Sequence, residues 1–257
     1  MSERIVITGI GLVTSIGIGV KEFWNACLQG TSGVNRITAF DPSGFATQIA
    51  AEVKDFMPAS YLPPKMFQGT ERVHQIGLVA ALLAMDDSGL DLELEDKTRV
   101  VTCVGSANGE VLIPEERLMA LYHHDRKKST APISESKPLV DQVSDFLDIK
   151  GPAISFSTAC SSGNHAIGWA FNTMRLGKAD VAIAGGAEAS ILPLITAGFC
   201  ALRVMSRRNN NPRGASRPFD LERDGFVLGE GAAFLVLENL DHARKRNASI
   251  YAEIVGY

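Results

Sequence analysis

A wholly apolar run of four residues, Val181-Ala182-Ile183-Ala184, ending in Gly185-Gly186, does most to limit what this chain can fold into. Apolar side chains on both sides of the backbone leave no face for solvent, so the run reads as a central strand covered above and below. The remaining sequence supplies the cover. Strand-like apolar stretches alternate with stretches of helical period, the pattern of an α/β domain with a largely parallel sheet. Residues 4–8 read as a strand, 20–29 as a short helix stopped by Gly30, and 49–53 as a short strand. Over 71–88 the apolar positions Val73, Ile76, Val79, Ala80 and Leu83 recur at helical spacing until Gly89. Further strands are expected at 100–104, 232–238 and 250–255, and helices at 115–129, 138–147 and 240–246. Residues 206–219 are so rich in Asn, Arg and Gly that they read as a polar loop that does not pack.

The length of 257 residues allows a sizeable core, and 46% hydrophobic with 21% charged residues is the composition of a soluble globular protein. A net charge of -4 argues against bulk attraction to nucleic acid or anionic membranes, so an acidic partner would need a local basic patch. The cysteines Cys27, Cys103, Cys160 and Cys200 are widely spaced and form no metal-ligand pattern with His. That spacing points to reduced thiols in a cytoplasm, with no metal. The apolar N-terminus is broken by Thr8 and Gly9, lacks a clear cleavage site and is not read as a signal peptide. No apolar stretch reaches the roughly 20 residues of a membrane span.

Gly9-Ile10-Gly11 after the first strand lacks the third glycine of a dinucleotide fingerprint, Thr14 standing there instead, so these glycines are read as a tight turn. His123-His124, beside a basic cluster, read as a solvated face, and His165 falls on a different side of its helix from Cys160. The segment 220–231 packs charges and glycines between two apolar stretches; it is either a structural turn or, through Phe226 beside Gly225, a mobile gate. Cys160 follows a strand, Ala153-Ile154-Ser155-Phe156, taken as buried, and precedes a helix with one apolar face formed by Ala166, Ile167, Ala170, Phe171 and Met174. Two readings of it are open from the local pattern. A free Cys is often a small buried hydrophobe. At a strand–helix turn it also faces the free N–H groups and positive dipole end of the helix, which favour a thiolate and can hold an oxyanion.

The run Ser157-Thr158-Ala159-Cys160-Ser161-Ser162-Gly163, continuing to Gly185-Gly186-Ala187-Glu188-Ala189, resembles the active-site region of the β-ketoacyl-acyl carrier protein synthases. So do Ala215-Ser216-Arg217-Pro218-Phe219-Asp220, Arg223-Asp224-Gly225-Phe226-Val227 and the opening Val6-Ile7-Thr8-Gly9-Ile10-Gly11. The resemblance covers essentially the whole chain and is nearest to the elongating type and its polyketide-synthase relatives. It implies the N-terminal half of a thiolase-like α/β fold, a mixed, largely parallel five-stranded sheet flanked by helices, over residues 1–257. The second half of the family fold is then expected to be absent from this chain.

By the resemblance, Cys160 is the nucleophile that takes an acyl group as a thioester, and its backbone N–H is an oxyanion donor. Decarboxylative condensation with malonyl-acyl carrier protein follows, in fatty acid or polyketide synthesis. Phe226 corresponds to an aromatic gate, Phe199 to an acyl-pocket wall, and Asn108 to a substrate-binding position where many members place an apolar residue. The basic residues Lys65, Arg72, Arg126, Lys127, Lys128, Arg207 and Arg208 fall where the family docks acyl carrier protein, although each singly also reads as solvated surface. No cofactor is implied, and a homodimer or heterodimer is. The family's two catalytic histidines come from its second half, and none of the five histidines here sits in their motifs. The alternative function is a non-condensing, chain-length-factor-like partner subunit, against which the retained Cys160 argues.

Overall fold

A computed structural model of the chain describes residues 3–107 and 137–257, so the helix expected over 115–129 lies outside the described residues. Strand β1 is Ile5–Thr14, β2 Gly17–Ile18, β3 Val34–Arg36, β4 Ile49–Ala51, β5 Val100–Gly105, β6 Ala153–Phe156, β7 Val181–Glu188, β8 Gly231–Asn239 and β9 Ala252–Ile254. The helices are α1 Val20–Leu28, α2 Pro64–Phe67, α3 Arg72–Ser88, α4 Leu139–Phe146, α5 Ser162–Arg175, α6 Pro193–Leu202 and α7 Leu240–Lys245.

The main sheet has the order β2-β1-β8-β7-β5-β6, with β9 also on β1, while β3 and β4 pair separately. β5 runs parallel to β6 and β7, and β8 is antiparallel to both β7 and β1. Four of the five principal strands therefore point one way and β8 alone runs against them. That is the expected five-stranded core, widened at β1 by the short antiparallel β2 and β9.

Side-chain alternation divides the core in two. From β5 and β7, Val100, Val104, Val181 and Ile183 join Ile76, Val79, Leu139 and Val143 of α3 and α4. Their neighbours Val101, Cys103, Ala182 and Ala184 face Ala166, Ala170, Phe171 and Met174 of α5 on the other side. Each fully buried aliphatic side chain of this kind contributes about 2 kcal/mol. The central run Val181–Ala184 is buried on both faces, as its composition requires.

Three expectations need correction. Gly9 and Gly11 do not turn the chain: β1 continues through them to Thr14. A Cβ at Gly11 would lie 1.9 Å from the Ala80 carbonyl oxygen, and one at Gly9 2.3 Å from that of Ala84, so these glycines let α3 lie directly on the strand. The strand before Cys160 is not buried. β6 is the sheet edge, with Ala153 and Ser155 exposed and Ile154 and Phe156 half-buried, because α4 and α5 pack on it but no strand pairs with its outer side among the described residues. The 206–219 loop does pack: Ser206 and Ala215 are fully buried, and Asn209 accepts the Gln48 N–H at 2.9 Å while donating to the Ala46 carbonyl.

Candidate active site

The carboxyl ends of β1, β5, β6 and β7 lie at one edge of the sheet, where open α/β sheets bind ligands. There β6 ends at Phe156, and residues 157–161 lead straight into α5. The turn is tight enough to put Ala159, a residue with a Cβ, at φ +52°. Such a left-handed residue costs about 1 kcal/mol. Local hydrogen bonds offset it. Ser162 Oγ accepts the Thr158 N–H at 2.9 Å and donates to the Ala159 carbonyl at 2.6 Å, lying 3.2 Å from the Ser106 carbonyl. Ser161 Oγ donates to the Thr158 carbonyl at 2.8 Å, and Thr158 Oγ1 meets His165 Nδ1 at 2.7 Å.

The turn rests on a floor of glycines. A Cβ at Gly105 would fall 2.3 Å from the Ser162 carbonyl carbon. One at Gly186 would fall 2.9 Å from the Gly105 oxygen and 3.3 Å from Gly163 Cα. Backbone thus approaches backbone between β5, β7 and the start of α5. On this floor Cys160 stands exposed at the head of α5, whose first turn has no side-chain cap. The thiol lines an open concavity of about 450 Å³, together with Thr14, Ser106, Ala107, Glu188 and Ala233 among others. Uncapped helix N–H groups beside an exposed thiol can receive the charge that develops on a thioester oxygen.

The other cysteines differ. Cys103 is buried in β5, and burial pushes its thiol up to about 12. Cys200 is half-buried, and Cys27 is exposed in the last turn of α1.

The structure sets the remaining expected site residues at several places. Phe199 and Phe226 meet edge to face, with ring centroids 5.3 Å apart, but neither lines the Cys160 concavity. Gly225, at φ +141° against the backbone of Met205 and Ser206, fixes the approach to Phe226. Asn108, Arg126, Lys127 and Lys128, with His123 and His124, lie outside the described residues. Lys65 and Arg207 are exposed. Arg72 instead binds Glu230 through two nitrogens, at 2.8 and 2.7 Å, and the Val53 carbonyl at 2.6 Å. Arg208 is held by the Glu222 carbonyl at 2.7 Å and by the Asp224 carboxylate at 3.6 Å. Among the described residues no group of His, Cys, Asp and Glu is arranged to hold a metal ion.

No described histidine lines the concavity. His74 is buried in α3 and His165 is tied to Thr158. His242 lies at the opposite end of the sheet, its Nδ1 2.6 Å from buried Glu238 and its Nε2 2.9 Å from Glu95. Ionised carboxylates only accept, so contacts to both ring nitrogens favour the protonated ring. The Glu238 bond, and then that of Glu95, raise its pKa against the opposing effect of burial. Burial alone would raise the Glu238 carboxyl, but donors on Arg246, His242 and Thr8 overcome it and hold it at about 2.

Ser162 and Glu188 were not anticipated. For Glu188 a signal existed: a lone carboxylate closing an apolar strand just after Gly185-Gly186 has a reason to be there. For Ser162 nothing separates it in sequence from Ser161.

Residues 2–243 match the family described as "Beta-ketoacyl synthase, N-terminal domain". The chain is 45% identical, over 99% of its own length, to the 3-oxoacyl-[acyl-carrier-protein] synthase 2 of Coxiella burnetii. It is similar in structure to the ishigamide ketosynthase/chain length factor, with a TM-score of 0.88 at 31% identity over the whole chain. A type II polyketide synthase ketosynthase, solved with its acyl-carrier protein and bound to a hexaketide, gives a TM-score of 0.84 at 31% identity, again over the whole chain. The chain spans 62% of the length of the first of these and 63% of the other two.

Proposed function

The chain belongs to the β-ketoacyl synthase family, and from that premise we propose that it is an acyltransferase whose Cys160 accepts the growing acyl group. One observation carries the reading: an exposed thiol on a tight turn, at the uncapped head of α5, in a concavity at the carboxyl ends of the strands. In the proposed first step the Cys160 sulfur loses its proton and attacks the thioester carbonyl of an acyl-carrier donor. A carbon–sulfur bond to Cys160 forms, the carrier's carbon–sulfur bond breaks, and the carrier thiolate takes up a proton. The oxyanion formed on the way is received by the Cys160 N–H at the turn. In the second proposed step malonyl-acyl carrier protein loses carbon dioxide and its carbanion forms a carbon–carbon bond to the acyl carbonyl. The carbon–sulfur bond to Cys160 breaks, leaving a β-ketoacyl product on the carrier and a Cys160 thiolate that takes up a proton. No described histidine lines the concavity, and the family resemblance assigns the groups that promote decarboxylation to the second half of the family fold.

Acyl carrier protein is the proposed partner. Lys65 and Arg207 are the exposed cations offered for its acidic surface, while Arg72 and Arg208 would act through the ion pairs they already make. Homo- or heterodimerisation is proposed through the open edge of β6, whose main-chain groups have no strand partner on that side among the described residues. Four free thiols and no helix long and apolar enough to cross a membrane among the described residues support a cytoplasmic site. The non-condensing partner subunit is less well supported, because such a chain has no use for a thiol displayed in this way.

The test is mass spectrometry of the native protein after exposure to acyl-carrier thioesters. The acyl group is expected on Cys160, faster than on exposed Cys27 by about a hundredfold, the scale of one oxyanion donor. Cys160→Ala should remove uptake without changing the melting temperature. Equal labelling of Cys160 and Cys27 would sink the proposal.

A further inference from the structure

We propose that Glu188 is a positioning residue that sets which acyl chains Cys160 takes up, by holding the Ser106–Ala107 lip of the concavity. The proposal rests on Cys160 being the acyl acceptor. The parallel ladder between β5 and β7 ends at the pair Gly105 and Gly186. Two residues further on, a side chain takes over the role of the main chain: the Ala107 N–H donates to Glu188 Oε2 at 2.8 Å, with Ser106 Oγ at 3.4 Å from the same oxygen. Ser190 Oγ donates to the other carboxylate oxygen, which fixes the rotation of the group.

Ser106 is held from the opposite side as well. Its N–H donates to the Phe156 carbonyl at 3.0 Å, and its carbonyl lies 3.2 Å from Ser162 Oγ of the turn. The main chain of Ser106 is therefore tied to β6 and the elbow, whereas Ala107, whose carbonyl accepts Ser157 Oγ at a long 3.4 Å, has its N–H held at 2.8 Å by Glu188. Ser106, Ala107, Glu188 and Cys160 all line the same concavity. Releasing Ala107 would reshape the room beside the sulfur while the bonds that form the elbow stay in place. Glu188 forms no covalent bond and moves no proton in this role; it acts as a hydrogen-bond acceptor. Glutamine keeps one acceptor oxygen for the Ala107 N–H and alanine keeps none.

The experiment compares the native protein, purified with any partner it carries, with its Glu188→Gln and Glu188→Ala variants. Each is offered short- and long-chain straight acyl-carrier thioesters and, separately, iodoacetamide. Glu188→Ala is expected to change the ratio of long- to short-chain uptake by about tenfold, the scale at which a pocket reads chain size. Its Cys160 should still be alkylated by iodoacetamide at the wild-type rate, and Glu188→Gln should keep the wild-type ratio. An unchanged ratio in Glu188→Ala would overturn the inference. So would a Gln variant shifted as far as the Ala variant, or an Ala variant slowed alike toward every acyl donor and iodoacetamide. A wild-type protein that takes up no acyl group would instead overturn the acyl-acceptor reading and this inference with it.

Discussion

The two ends of β7 and β8 are built on opposite principles. Next to the pair Glu188–Gly231, Gly186 and Ala187 lie opposite Ala233 and Ala232, the backbone of β5 touches that of α5, and a thiol is left exposed. Where Val181 pairs with Glu238, a fully buried carboxylate is enclosed by donors from Thr8, His242 and Arg246. Arg246 binds it through two nitrogens, at 2.9 and 2.5 Å. The first end makes room and the second fills it. One sheet thus keeps an open, slightly strained end while its other end is closed by a saturated polar cluster.

The largest effect is expected from Glu238→Ala. It leaves Arg246 and His242 facing a buried void and should cost about 3 kcal/mol of stability, read by denaturant unfolding. Cys160 in the still-folded protein should be alkylated at the wild-type rate; a slower rate would mean that the two ends are not independent. Gly105→Ala addresses the other end. Its methyl group would collide with Ser162, so about 2 kcal/mol of stability and much of the Cys160 acyl uptake should be lost together. Loss of stability with normal uptake would show that the elbow tolerates displacement.

A pH titration of stability, compared between the wild type and His242→Gln, isolates the contribution of the closed end. Glu238 is held at about 2 against an ordinary 4.5, so its contribution is complete above 4.5 and is lost as pH falls towards 2. The pKa of His242 is raised above 6.5, so its contribution is complete below 6.5 and is lost as pH rises through the raised value. In His242→Gln the alkaline decline should vanish while the acid one remains. The smallest expected effect is that of Ala159→Gly. Removing the Cβ from a residue at φ +52° should change stability by less than about 1 kcal/mol. A large loss would show that the turn is held by the methyl group rather than by Ser162.

Much of this was legible along the chain. The two-sided burial of Val181–Ala184 required helices on both faces, α3 followed from its apolar spacing with Gly89 at φ +59° ending it, and Cys160 stood out at a strand–helix turn. These are local signals: hydrophobic period and residue size bias a segment wherever it lies. What only the tertiary structure decided depends on neighbours distant in sequence. Gly9 and Gly11 were given the wrong reason because the helix that needs them is about seventy residues away. The apolar pattern of β6 suggests burial but does not show whether a strand lies at the centre or the edge of a sheet. Ser162 and Glu188 gained their roles only when β5, β6 and β7 brought residues 106, 158 and 188 to one edge. A hydroxyl or carboxylate in sequence has many possible partners, and the register of the sheet chooses among them.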